Sequence, residues 1–234
     1  MAFSHSPKIV TDGLVLCLDA ANPKSYPGTG TNWKDLSGNS LDFTLENSPT
    51  FSTSNTGYFD LDGTNDSAIL SDTDTLSFTN ASLTLEAWVK LDDLTDTGII
   101  TKVDYANNQR EWGIIIRSST LSLQVNPNLD NGGTWTIVYA TSTSINVWYH
   151  VVGTSDGIGT GKIYLNGVLN NTNSSFATST GNGNAPIRVG AETNGGVQIN
   201  PVNGKIALTK VYNRALTAAE IKQNFEATRG RFGL

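Results

Sequence analysis

At 234 residues, with 38% hydrophobic and 15% charged side chains and a net charge of −6, the chain is long enough for one sandwich-sized core. It is too acidic to favour nucleic acid, whose phosphates need a clustered positive field. Its apolar runs are far shorter than the ~20 residues that cross a bilayer, so no membrane insertion is expected. The start, MAFSHSPKIVTDG, lacks the basic-then-apolar pattern of a signal peptide, and synthesis in a cytoplasm is expected.

In chain order, residues 1–12 read as an N-terminal arm, 13–213 as a β-sandwich, and 214–234 as a helix and basic tail packed on the sandwich or on a neighbour. GLVLCLDA opens the alternating patterns and holds Cys17, the single cysteine, so no internal disulfide forms and a buried thiol is expected. Ala21 to Phe43 carries enough Pro and Gly for an ordered loop with a strand or two inside it. YFDLDG follows, and then the clearest strand, SLTLEAWVKL. Alternation puts Leu83, Leu85, Ala87, Val89 and Leu91 on a core face and Ser82, Thr84, Glu86, Trp88 and Lys90 on the other.

Shorter alternating runs recur at GIITKV, EWGIIIR, STLSLQV, TWTIVYA, NVWYHVVG, GKIYLNG, APIRVG and GKIALTKVY. No helical pattern separates them, which predicts an antiparallel sandwich or barrel. Asn166-Gly167 predicts a two-residue type I′ hairpin, because that dipeptide tolerates two positive φ angles. After the last strand, Thr217 and Glu220 form a capping box, Leu216 and Ile221 have the spacing of a hydrophobic staple, and Ile221 and Phe225 share a helical face. Gly230 is the expected helix stop.

Residues 201–234 carry six basic side chains against Glu220 and Glu226, a net of +4, which leaves −10 on the rest. This end reads as a docking element for an acidic surface, with Arg229, Arg231 and Phe232 as the partner-docking residues. Deleting RGRFGL, residues 229–234, or reversing Arg229 and Arg231 to Glu, is expected to weaken attachment and leave the fold intact.

The pieces YFDLDGTND, SLTLEAWVKL, GIITKV, NVWYHVVGTSDG, KIYLNGVL and GKIALTKVYNRALTAAEI, in that order, resemble the laminin-G-like, concanavalin A-like jelly-roll family. The resemblance covers most of Gly13 to Ile221. It implies an all-β fold, an antiparallel two-sheet jelly-roll sandwich with a short C-terminal helix. The opening VTDGLVLCLDAANPKSYPGTGTNWKDLSGN and the close YNRALTAAEIKQNFEATRGRFGL are similar to the ends of such domains in structural proteins of tailed bacteriophages. That likeness implies a virion component, either a head decoration protein or a small tail or fibre part. Such a protein would be homo-oligomeric and held to other capsid or tail proteins. The alternative is a carbohydrate-binding adhesin that recognises host surface glycans.

Catalysis has little support. Retaining glycosidases on this kind of sandwich need two carboxylates roughly 5 to 5.5 Å apart, and Glu86 stands alone on its strand while the other glutamates are scattered. His150 in VWYHVV reads as a structural histidine bonded to a backbone carbonyl, and no residues are assigned as catalytic. A sugar site would use aromatics near the Asn- and Gly-rich loops: Trp33, Tyr105, Trp112 and Trp135. No cofactor is required. Calcium is the metal to consider, since DLDGTND places oxygen ligands at a tight turn, with Asp62 and Asp66 the leading side chains. The resemblance speaks both ways, because family members often bind calcium, yet Ala207, Leu208 and Thr209 stand where acidic residues would be expected.

Overall fold

The computed structural model describes residues 7–127 and 135–234. His5 and residues 128–134 lie outside them. In chain order the described residues form β1 (Leu14–Asp19), β2 (Asn32–Trp33), β3 (Phe43–Glu46), β4 (Thr50–Ser52), β5 (Tyr58–Asp62) and β6 (Ser67–Leu70). The longer strands β7 (Ser82–Leu91), β8 (Thr97–Asp104), β9 (Gln109–Arg117) and β10 (Thr120–Val125) follow. Next come β11 (Thr136–Tyr139), β12 (Trp148–Asp156), β13 (Gly161–Leu165) and β14 (Val168–Asn173). Finally β15 (Ile187–Val189), β16 (Glu192–Asn194), β17 (Val197–Ile199) and β18 (Asn203–Tyr212) lead into the helix α1 (Ala218–Thr228).

One antiparallel sheet runs β14-β13-β12-β7-β18-β5-β4, with β1 also paired to β18, and the second runs β11-β10-β9-β8-β15-β6-β3-β2. Strands β16 and β17 form a separate hairpin. The alternating apolar residues of β7 face Trp112, Ile114 and Ile116 of β9 and Leu121, Leu123 and Val125 of β10 in one core. Each such side chain contributes roughly 1.5–3 kcal/mol over leaving it exposed. The sheets meet closely at Gly153 on β12, where an added Cβ would lie 2.7 Å from Leu123 Cβ.

Asn166 and Gly167 both have positive φ, 51° and 76°, and join β13 to β14 as the sequence predicts. At that side of the sandwich Asn171 Nδ2 donates to the Tyr139 carbonyl and Asn173 Nδ2 to the Ile137 carbonyl, each at 2.9 Å. These amides occupy edge carbonyls of β11 that another chain could otherwise pair with. Cys17 is buried, and burial pushes its thiol up to about 12.

The first sheet departs from expectation on its other face. Thr84, Glu86 and Trp88, assigned to an outward face, are buried beneath the returning C-terminal segment. Thr217 caps α1 with the reciprocal Glu220 contact, and Leu216 and Ile221 pack together as the staple requires. Gly230 is not the stop. The chain continues through a 3-10 turn over Arg229–Phe232, and Gly233 takes the left-handed conformation with φ 74°.

Candidate functional site

The register of the first sheet brings three ionisable groups to its outer face. Lys210 of β18 lies opposite Glu86 of β7, and His150 of β12 lies opposite Trp88. Lys210 Nζ donates to Glu86 Oε1 at 2.6 Å, and His150 Nε2 lies 3.0 Å from the same oxygen. Glu86 Oε2 accepts from Asn224 Nδ2 of α1 at 2.7 Å. Burial alone would raise the Glu86 carboxyl, but the charges of Lys210 and His150 outweigh it and hold the group at about 2. Asn224 also reaches the arm, accepting from the Val10 N–H at 2.8 Å. His150 thus finds a carboxylate, where the sequence suggested a backbone carbonyl. Phe225 and Phe232 close over Trp88, so solvent does not reach this cluster. The arrangement ties arm, helix and sheet together and leaves Glu86 no access to a substrate.

The same face opens at the N-terminal end of α1 into a cleft of about 300 Å³. Its floor is a pair of neighbouring strands. Thr154 of β12 lies opposite Lys162 of β13, and Val152 lies opposite Tyr164, so alternation sends Thr154, Lys162 and Tyr164 to one side. Asp156 and Thr160 extend the floor, and Ala215 to Ala218 form the wall. Asp156 is held by its own loop, accepting from the Ile158 and Thr160 N–H groups at 2.9 and 2.8 Å. Those backbone bonds offset its burial and keep it ionised. Tyr164 is only 3% exposed, yet its hydroxyl has no hydrogen-bond partner among the described residues. The ring is buried while the hydroxyl opens on the polar cleft, where it is a ready contact for a ligand.

The aromatics proposed from sequence are not brought together. Trp33 is 1% exposed and packs edge-on against Phe59 in the core. Trp112 is fully buried, with its indole N–H donating to the Leu76 carbonyl at 2.9 Å. Neither can stack on a sugar, which corrects those two assignments. Tyr105 donates to Glu192 Oε1 at 2.5 Å and has the Arg110 guanidinium over its ring, so one face of that ring is covered. Trp135 is half-buried at the start of β11, at the opposite edge of the sheet from Trp33 on β2.

The other assignments also find local partners. Asp62 Oδ1 accepts from the Thr64 N–H at 2.8 Å, and Asp66 Oδ2 accepts from the Asp62 N–H at 3.3 Å. These are the bonds of a self-satisfied turn, and no group of three or more potential metal-ligating side chains occurs among the described residues. Phe232, expected to dock a partner, is stacked on Trp88 at 4.0 Å, while Arg231 pairs with Asp19 at 3.0 Å. Arg229 pairs with Glu226 at 2.6 Å and is half-exposed. The tail lies on its own sandwich because Trp88 would otherwise be left bare.

Nothing in the sequence pattern singled out Thr154, Lys162 and Tyr164. Alternation in GKIYLNG puts Lys162 and Tyr164 on one face, but only the return of the chain at Ala215 turns that face into a cleft.

Two packed antiparallel sheets with a polar cleft on one outer face define a lectin-like jelly-roll protein. The family model of the concanavalin A-like lectin/glucanases superfamily matches residues 62–222, and the chain belongs to that superfamily. Among solved structures it is similar to the binding domain of Paraclostridial Mosquitocidal Protein 1, with TM-score 0.69 and 22% identity over 92% of this chain and 52% of that one. It is also similar to the binding domain of botulinum neurotoxin DC in complex with SialylT, with TM-score 0.71 and 20% identity over 93% and 52%. A botulinum neurotoxin type C structure gives TM-score 0.70 and 20% identity over 94% and 52%. The chain therefore spans about half the length of these toxin domains. No match is found among curated proteins.

Proposed function

We propose that the chain is a non-enzymatic, lectin-like binding module that holds a saccharide in the cleft between β12, β13 and the start of α1. The observation that carries this reading is the Tyr164 hydroxyl, on a side chain only 3% exposed and with no hydrogen-bond partner among the described residues, at a cleft otherwise lined by Thr154, Lys162, Asp156 and Thr160. Closely set donors and acceptors of this kind suit the hydroxyl groups of a sugar ring. The similar toxin structures lend support, since one is a complex with SialylT and another concerns interaction with two ganglioside molecules. The sequestered Glu86 supports binding without hydrolysis. A labelled sample of the chain on a glycan array, with release of reducing ends followed on every positive glycan, tests this. Retention without release is expected, and sugar release would overturn the non-enzymatic reading.

The particle assignment rests on the phage-like sequence at the two ends of the chain. On that reading the module is a head decoration or a small tail or fibre part, assembled as a homo-oligomer. Glycan recognition would then serve host contact. Mass analysis in solution by light scattering, together with protein identification in purified particles, tests it, and a monomer missing from particles would contradict it.

A further inference from the structure

We propose that the cleft selects an acidic sugar, one hexose-sized ring whose carboxylate sits against Lys162 and the first backbone N–H of α1. This rests on the saccharide reading above and names its ligand class. One carboxylate, Asp156, lines the cleft, and a second, Glu220, lies in the first turn of α1 beyond the lining. Asp156 organises the β12–β13 loop through the Ile158 and Thr160 N–H groups. Glu220 is bound by both terminal nitrogens of Arg214, at 2.6 and 3.0 Å, and accepts from the Thr217 N–H at 2.8 Å. Lys162 has no ion-pair partner among the described residues, so its ammonium is available to a ligand carboxylate, while the ionised Asp156 at the other end of the floor is turned to its own loop N–H groups.

The helix adds to that field. α1 is eleven residues long, and its positive end meets the cleft at Ala218. Thr217 Oγ1 takes the Glu220 N–H, whereas the N–H of Ala218, in the first helical position, has no intrahelical acceptor. A helix end alone would say little. The independent sign is Tyr164, with Thr154 beside it: two side chains only 3% and 4% exposed whose hydroxyls have no partner among the described residues and line the floor of the cleft. Lys162 and Ala218 suit a carboxylate, while Tyr164 and Thr154 suit ring hydroxyls. A volume of about 300 Å³ is at the small end of ligand sites and suits a single ring.

The test is an NMR titration of the whole chain with sodium glucuronate, glucose and inorganic phosphate, following signals of Thr154, Lys162, Tyr164 and Ala218. Saturable shifts are expected with glucuronate, about tenfold tighter than glucose, which corresponds to ~1.4 kcal/mol. In K162M the advantage of glucuronate disappears, while Y164F weakens both sugars alike. Neither substitution removes a contact within the protein, so both variants keep the fold. Equal affinity for glucose and glucuronate overturns the acid selectivity and leaves the saccharide reading standing. Phosphate binding as tightly as glucuronate overturns the sugar assignment in favour of a simple anion site. If none of the three moves these signals, and a glycan found on the array also leaves them unmoved, the cleft is not the site. The selectivity then falls even though the chain still binds sugar.

Discussion

Lys210 and Glu86 face each other on β18 and β7, Nζ 2.6 Å from Oε1, with both side chains fully buried. A buried pair of this kind is weak evidence of net stability, but removing one partner strands the other charge. K210M is expected to cost ~3–5 kcal/mol, read as a shift of the urea midpoint. The double variant E86M/K210M is expected to recover much of that loss, and equal losses in the two variants would show that the charge pair is not the cause.

The same cluster makes stability depend on pH. Glu86 is held at about 2 in the fold against an ordinary 4.5. A depressed carboxyl contributes stability above its unfolded value and loses it as pH falls through the folded one. Stability is therefore expected to decline between about pH 5 and pH 2, by an amount on the order of 3 kcal/mol from this group. Thermal melts of wild type and E86M/K210M across that range check it, and parallel curves would contradict it.

Phe232 is only 7% exposed, stacked on Trp88 across the outer face of the sheet. F232A is expected to destabilise the fold by ~3 kcal/mol and to shift Trp88 fluorescence towards that of a solvated indole. Deletion of residues 229–234 should lower the melting temperature further. This reverses the expectation that the tail is dispensable for folding.

At the Asp62 turn the carboxylates already accept backbone N–H groups, and burial followed by the charge of Asp62 raises the Asp66 carboxyl above its ordinary value. With those oxygens taken up by the turn and no group of three or more potential metal-ligating side chains among the described residues, the turn falls short of the roughly six to eight oxygens that calcium takes. The melting temperature is expected to be the same with millimolar calcium and with a chelator, and a rise of several degrees on adding calcium would restore the turn as a metal site.

Much of the architecture was legible because alternation survives wherever one face of a strand meets the core. SLTLEAWVKL became β7 with its five expected core residues inside, and Asn166-Gly167 made its turn. The capping box and staple were equally plain, since they are local patterns. The burial of Glu86 and Trp88 was not legible, because it depends on a segment 138 to 140 residues later in the chain folding back over them. The aromatic site failed for a related reason. A tryptophan beside a polar loop can belong to the core or to the surface, and sheet position decides which. Trp33 and Trp112 went inside, while the cleft arose from Thr154, Lys162 and Tyr164, whose spacing looked like that of any solvated strand face.

The most direct measurement is a glycan array run in parallel on the wild-type chain and on A215W. Ala215 is half-buried in the wall of the cleft, and an indole there is expected to fill much of its roughly 300 Å³. A215W is expected to keep the wild-type melting temperature and to lose the glycans that wild type retains. A variant that melts normally and binds the same glycans with unchanged affinity would contradict the assignment of the cleft as the saccharide site.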